Sequence, residues 1–363
     1  MARRWVEAGD QVEWFTAAFP GAPPRTEIDG VRILRSGHQW TVHAHAVAHY
    51  RGRLHGRFDV VIDEVNTLPF FTPWWAGIPT VLLIYQLARE VWWYETPFPV
   101  NAVGFALETW YLRAYRGTPA FTISASTEAD LRRLHWRAPI TVIPVGIERN
   151  ELVLQHPRPD PPPSRGRESP PHPPPSGASE LNEKPVFLYA GRLAPSKRVH
   201  EILGAFALFH REAGGARLCL MGDGPPAYLR RLRQQAERLR ISQDVEFAGW
   251  MDGDPKRRRM ARAAALLMAS VREGWGLVVT EAADCGTPAI VYDVPGLRDA
   301  VRTDKTGLIV PPEPAAMAAA MHRLVHEHGL RERLGAEARA WSRTFTFERM
   351  AAEMHAGLER AAR

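Results

Sequence analysis

Cysteine is nearly absent from this chain. Only Cys219 and Cys285 occur in 363 residues, each inside an apolar or motif segment. That scarcity excludes a disulfide-stapled secreted scaffold, and reduced thiols in a cytoplasmic chain are the expectation. Long apolar runs are missing too, and no stretch reaches the length a bilayer-crossing helix needs. Met1 to Trp5 lead straight to Glu7 and Asp10 with no apolar core between them, which argues against a secretory signal. Zinc-ligand spacings and aromatic RNA-binding motifs do not occur. The net charge of +6 is therefore read as dispersed basicity rather than as a nucleic-acid footprint. The densest basic run, Lys256 to Arg259 with Arg262 beyond, is expected to be a solvated helix face.

Proline is abundant and concentrated. Residues 157–180 read PRPDPPPSRGRESPPHPPPSGASE, which cannot form a helix or a sheet interior because proline lacks a donor and restricts its neighbour. The segment reads as an exposed, extended or disordered linker. It divides the chain into 1–156 and 181–363, and the length favours two domains.

Both halves alternate short apolar strands with helices. In the second, strands are expected over Pro185–Tyr189, Ala216–Gly224 with its turn, Val245–Trp250, Ala265–Ser270, Pro288–Asp293 and Gly307–Val310. Helices are expected over Lys197–Glu212, Pro226–Arg240, around Arg257 and Met260, and over Gly276–Cys285. In the first half, strands are expected over Gln11–Ala17, Val31–Leu34, Phe58–Glu64, Pro79–Tyr85, Ala120–Ser126 and Ile140–Ile147. Helices there are expected around His43–Tyr50 and over Thr127–Leu134, with Thr127 at its start. Continuous apolar strands between helices indicate parallel sheets covered on both faces. Two such doubly wound domains would enclose a cleft at the carboxyl ends of their strands. Met1–Gly9 reads as the tail of an amphipathic helix feeding a strand, so a first strand with a glycine loop is expected upstream of it.

Three segments carry chemistry. In REGWGLVVTEAADCGTPAIV, Arg272 to Val291, Glu273 and Glu281 lie eight positions apart around Gly274 and Gly276. The glycines let a backbone approach closely, and the amides of Gly274, Trp275, Gly276, Leu277 and Val278 at a helix start can take phosphate oxygens. Carboxylates accept several hydrogen bonds, which suits sugar hydroxyls. In AGRLAPSKR, Arg192 and Lys197 follow a strand and can clamp a diphosphate. In MGDG, Gly222 and Gly224 mark a tight turn at another strand end. Each segment alone also fits a purely structural role.

Together, in this order and spacing, they resemble the donor domain of the retaining glycosyltransferase family four, which has the GT-B fold. The resemblance covers residues 184–311. It implies two Rossmann-like domains facing across a cleft, the second holding a nucleotide-diphosphate sugar, and transfer to an acceptor hydroxyl with retention of configuration. By that resemblance Glu281 holds the ribose hydroxyls, Glu273 contacts the transferred sugar, and Arg192 and Lys197 neutralise the diphosphate. Gly222 and Leu193 line the donor cleft. Pro295 and Gly296 match the loop after the next strand. The family works without a held metal, so neither metal nor cofactor is expected. The expected domains are an acceptor-side 1–156, a linker 157–180, a donor-binding 181–345 and a C-terminal helix 346–363 packed back near the junction.

The first half resembles the family's acceptor domain more loosely, through IDEVNTLPFFTPWW and LLIYQLAREVWWYE. Where many relatives carry a histidine before a polar residue, this chain has Tyr85 and Gln86. These two, with Arg89 and Glu90, are the acceptor-side candidates. The family's N-terminal glycine loop has no counterpart. Adjacent aromatics such as Trp74, Trp75, Trp92, Trp93, Tyr94 and Phe98 cannot all face inward. Outward rings suit a sugar or a membrane surface, so the expected partners are a nucleotide sugar and a sugar or lipid-linked acceptor, with peripheral membrane contact and no nucleic acid. The alternative from another class is a catalytically degenerate nucleotide-sugar-binding protein, which would bind a donor without transferring or hydrolysing it.

Overall fold

The computed structural model describes residues 1–54, 56–147 and 184–363. The proline-rich segment 157–180 lies outside the described residues.

The C-terminal half is built on one six-stranded parallel sheet: β8 (Val186–Ala190), β9 (Arg217–Met221), β10 (Val245–Gly249), β11 (Ala265–Met268), β12 (Ala289–Tyr292) and β13 (Gly307–Val310). Its order is β10-β9-β8-β11-β12-β13. The chain winds outward from β8 in one direction and resumes at β11 in the other, so these neighbours mark the switch point of a doubly wound sheet. β11 and β12 are buried throughout, which is why they read as unbroken apolar runs. Between the strands come α6 (Val199–Ala213), α7 (Pro226–Arg238), α8 (Gly253–Arg262) and α9 (Leu277–Asp284). They are followed by α10 (Pro314–His326), α11 (Leu330–Ser342) and α12 (Phe347–Ala362).

Among the described residues the N-terminal half has two hydrogen-bonded sheets. β1 (Glu13–Thr16) and β3 (Val31–Arg35) pair in parallel, and β2 (Arg25–Ile28) adds an antiparallel edge. β4 (Val61–Val65), β5 (Thr80–Ile84), β6 (Ala120–Thr122) and β7 (Ile140–Val142) form a four-stranded parallel sheet in that order. The helices here are α1 (Ala2–Glu7), α2 (Val42–His49), α3 (Val91–Glu95), α4 (Val100–Ala114) and α5 (Ala125–Arg133). Both β6 and β7 are shorter than their apolar sequence suggests. Ser124, not Thr127, begins α5: its hydroxyl accepts the Thr127 amide, and this cap ends the strand early.

One core cluster runs from the C-terminal sheet into Val81, Leu83, Phe121 and Ile143 of the four-stranded sheet. Helix α12 joins them by burying Met350, Met354 and Leu358, each worth about 1.5–3 kcal/mol. The indole of Trp5 in α1 donates to the Ala351 carbonyl at 3.0 Å, and a Cβ on Gly357 would strike the Phe121 ring. The closing helix therefore fastens one half to the other.

Candidate active site

The switch point places the carboxyl ends of β8 and β11 side by side. The loop after β8 carries Arg192 and runs through a short 3-10 turn, Pro195–Lys197. The loop after β11 carries Ser270, Arg272 and Glu273 and opens α9 at Gly276, whose φ of +88° suits glycine.

These loops meet. Lys197 Nζ lies 2.6 Å from Glu273 Oε1, and the Ser270 hydroxyl donates to the same oxygen at 2.7 Å. The Glu273 amide donates to the Pro295 carbonyl at 3.0 Å, and a Cβ on Gly296 would sit 2.1 Å from the Glu273 carbonyl. Pro295 and Gly296 thus hold the backbone of Glu273, a role their sequence does not announce. The first internal bond of α9 runs from the Val279 amide to the Gly276 carbonyl, so the amides of Leu277 and Val278 precede the helix's own ladder. Trp275 contributes its backbone here. Its indole is buried against Trp341 and Phe345 and donates to Thr280 Oγ1 at 2.8 Å.

The loops after β8 and β9 are zipped together. A Cβ on Gly222 would stand 1.8 Å from the Gly191 carbonyl oxygen, and one on Gly224 1.9 Å from that of Leu193. The Tyr189 hydroxyl donates to the Arg192 carbonyl at 2.7 Å, and burial holds that phenol well above its ordinary pKa.

Glu281 lies on the second turn of α9, a third exposed, with Lys256 Nζ 2.6 Å from its Oε2. Arg257 reaches Asp284 on the same helix at 2.6 Å, and Arg259 reaches Glu246 at 2.7 Å. The basic run 256–259 is therefore not a solvated face. It is a half-buried row that docks α8 on its neighbours, because α9 and β10 present carboxylates to it.

The N-terminal half closes over these loops. Arg272 is the central tie: Nε lies 2.8 Å from Glu90, and the guanidinium also grips buried Asp130 on α5. Asp299 accepts the amides of Gly296 and, across the junction, Ser126. A Cβ on Gly274 would come 2.9 Å from the Tyr85 carbonyl oxygen. Tyr85, at the end of β5, shares a hydrogen bond with Glu64; burial and then Glu64's charge push its phenol up to about 12. Gln86 beside it is half-buried. Arg89 and Glu90 are occupied elsewhere. Arg89 donates to Thr109 on α4 and lies over the Phe105 ring, while Glu90 is held by Arg272.

One arrangement was invisible in the sequence. Glu95, at the end of α3, reaches across to the loop after β8. Its Oε1 accepts the Ser196 amide at 3.2 Å and also the Ser196 hydroxyl, and its Oε2 lies 3.5 Å from Arg192. A carboxylate of the N-terminal half thus occupies the anion-holding groups beside Lys197. Next to it, the Arg198 guanidinium meets the hydroxyl and ring of Tyr94.

The described site therefore gathers Arg192, Lys197, Glu273 and Glu95 beside the start of α9 at the carboxyl ends of β8 and β11. Residues 176–341 match the family model described as glycosyl transferases group 1. The D-inositol 3-phosphate glycosyltransferase of Jonesia denitrificans is 35% identical over 184 residues, 49% of this chain and 43% of that protein. The chain spans about half the length of the curated relatives it matches. The structure is similar to that of sucrose-phosphate synthase from Thermosynechococcus elongatus, with a TM-score of 0.75 and 21% identity over 99% of this chain and 91% of that one. It is also similar to Anabaena Alr3699/HepE in complex with UDP-glucose, with a TM-score of 0.70 and 15% identity over 96% of this chain and 100% of that one. Residues 176–341 are thus similar to the glycosyl transferases group 1, and the chain shares the GT-B fold of these solved structures.

Proposed function

We propose that the chain transfers a sugar from a nucleotide-diphosphate sugar to an acceptor hydroxyl with retention at the anomeric carbon. Residues 181–345 hold the donor and 1–156 face the acceptor. The observation that carries this reading is the ion pair Lys197–Glu273, set between the Arg192 loop and the start of α9. The bond between the anomeric carbon and the diphosphate oxygen breaks with negative charge growing on the leaving group. Arg192 and Lys197 lie where they can neutralise it, and side chains then do what a metal would otherwise do. The amides from Gly274 to Val278 take phosphate and sugar oxygens. Glu273, held by Lys197, Ser270 and the Pro295 loop, orients the sugar, and no protein nucleophile is assigned. Glu281 takes the ribose hydroxyls, with Lys256 fixing one of its oxygens. Tyr85 and Gln86 are left as acceptor-side groups, since Arg89 and Glu90 serve other contacts. A nucleotide sugar in the related Anabaena structure supports a donor of that class.

A panel of nucleotide-diphosphate sugars tested by thermal shift identifies the donor, and Glu281→Ala abolishes the shift if the ribose assignment is right. Donor hydrolysis or transfer then separates an enzyme from a degenerate binding protein. A shift that persists in Glu281→Ala with the donor that gives it refutes the assignment.

A further inference from the structure

Helix α4 is turned inside out along part of its length. Its buried positions include Asn101 and Glu108, while Val100, Val103, Leu107 and Trp110 face solvent at 50%, 53%, 50% and 58% exposure. These four recur at intervals of three and four, so they form one stripe. Phe98, 79% exposed, precedes the stripe, and Trp74, 58% exposed, meets Trp110 edge-on at 6.4 Å. An apolar patch of this kind, rimmed by aromatic rings, marks a surface that something else covers.

The charges around it say what. Between residues 66 and 118 there are three carboxylates, Glu90, Glu95 and Glu108. All three are engaged by other groups: Glu90, itself 55% exposed, by Arg272, Glu95 by Ser196 and Arg192, and buried Glu108 by the amides of Ala88 and Arg89. At the far end of the stripe, Arg113 is exposed with no ion-pair partner among the described residues. Apolar and tryptophan-flanked, with its carboxylates engaged by other groups and Arg113 directed outward, this face suits the headgroup layer of an anionic bilayer. Position adds to the argument. Trp93 of α3 is 52% exposed and its ring lies 6.3 Å from Phe105 of α4, while Glu95, two residues on, enters the loop that carries Arg192. The patch therefore reaches the mouth of the proposed cleft.

We infer that the α4 stripe docks the protein on an anionic lipid surface and that the acceptor is amphiphilic, its hydroxyl presented from the headgroup layer beside the donor phosphates. This rests on the glycosyl-transfer reading for the acceptor, whereas the docking itself does not.

The test is flotation of the full chain with vesicles of phosphatidylcholine alone and of an equimolar phosphatidylcholine–phosphatidylglycerol mixture, at low salt. Co-flotation with the anionic vesicles only, reduced about tenfold or more in Leu107→Gln/Trp110→Gln and weakened in Arg113→Glu, supports the inference. The same variants keep the wild-type nucleotide-sugar thermal shift, which shows that they fold and tests the donor reading separately. Wild-type protein that stays unbound overturns docking. So does a double variant that floats as well as wild type, or a stripe that instead mediates concentration-dependent dimers in light scattering. Transfer only to water-soluble acceptors overturns the substrate class alone.

Discussion

If Glu95 sits where the donor's phosphates must go, removing it tightens donor binding. The carboxylate accepts from the Ser196 amide and hydroxyl and lies 3.5 Å from Arg192. Hydrogen bonds to an ionised acceptor are worth about 1.5–3 kcal/mol. The Arg192 contact adds little, because that side chain is 60% exposed and pairs of this kind give about 0–1 kcal/mol. Water recovers part of this once the carboxylate is gone, so the net competition is about 1.5–2 kcal/mol, or roughly 10–30-fold in affinity. Glu95→Ala therefore lowers the dissociation constant by about tenfold or more. Glu95→Gln, whose amide oxygen still accepts from Ser196, lowers it only a few-fold. Isothermal titration with the donor found in the panel, and with inorganic pyrophosphate as a base-independent probe, reads both. Circular dichroism checks that the variants fold, because Glu95 also links the two halves. Weaker or unchanged binding in a folded Glu95→Ala protein refutes the reasoning and makes Glu95 a support of the clamp rather than a competitor.

Two further outcomes follow from groups that link or underlie the halves. Arg272→Ala leaves Asp130 buried without its guanidinium, and losing one partner of a buried pair costs about 3–5 kcal/mol. The lower end is expected, because Arg133 still reaches Asp130 and Glu90 is 55% exposed; an unfolding free energy within about 1 kcal/mol of wild type contradicts it. Burial raises the carboxyl pKa of Glu64 above its ordinary 4.5, with the Tyr85 hydrogen bond opposing only in part. The native state then binds the proton more tightly than the unfolded chain, so this group subtracts stability as pH rises from 4.5 through the native value, and the loss persists above it. Glu64→Gln, which can keep the Tyr85 bond, is accordingly more stable than wild type at neutral pH and gains nothing below that window. Urea midpoints that differ by the same amount at every pH would sink the assignment.

What local pattern could decide, it decided. Strand β13 has the bounds its sequence suggests, Gly307–Val310, β11 and β12 fall inside the runs read for them, and β8 is shifted by one residue, because a strand buried on both faces must be apolar throughout. Arg192, Lys197 and Glu273 stand out in the sequence for a related reason: each lies in a loop that follows such a strand, and strand ends at a switch point are where a ligand fits. Elements that break the pattern escaped. The edge strand β2 is mostly exposed, and α4 directs its apolar stripe outward, against the rule that periodicity points to the core. Helices α10 and α11 also escaped the reading. Within the site, Glu95 meets Ser196 across 101 positions and Arg272 meets Asp130 across 142. Lys256 turns from an expected surface charge into the partner of Glu281 only once α8 packs on α9. Spacing along a chain records which groups share a strand end or a helix face. Which carboxylate neutralises which cation depends on how separate elements dock, and that is set by the packing of the whole core.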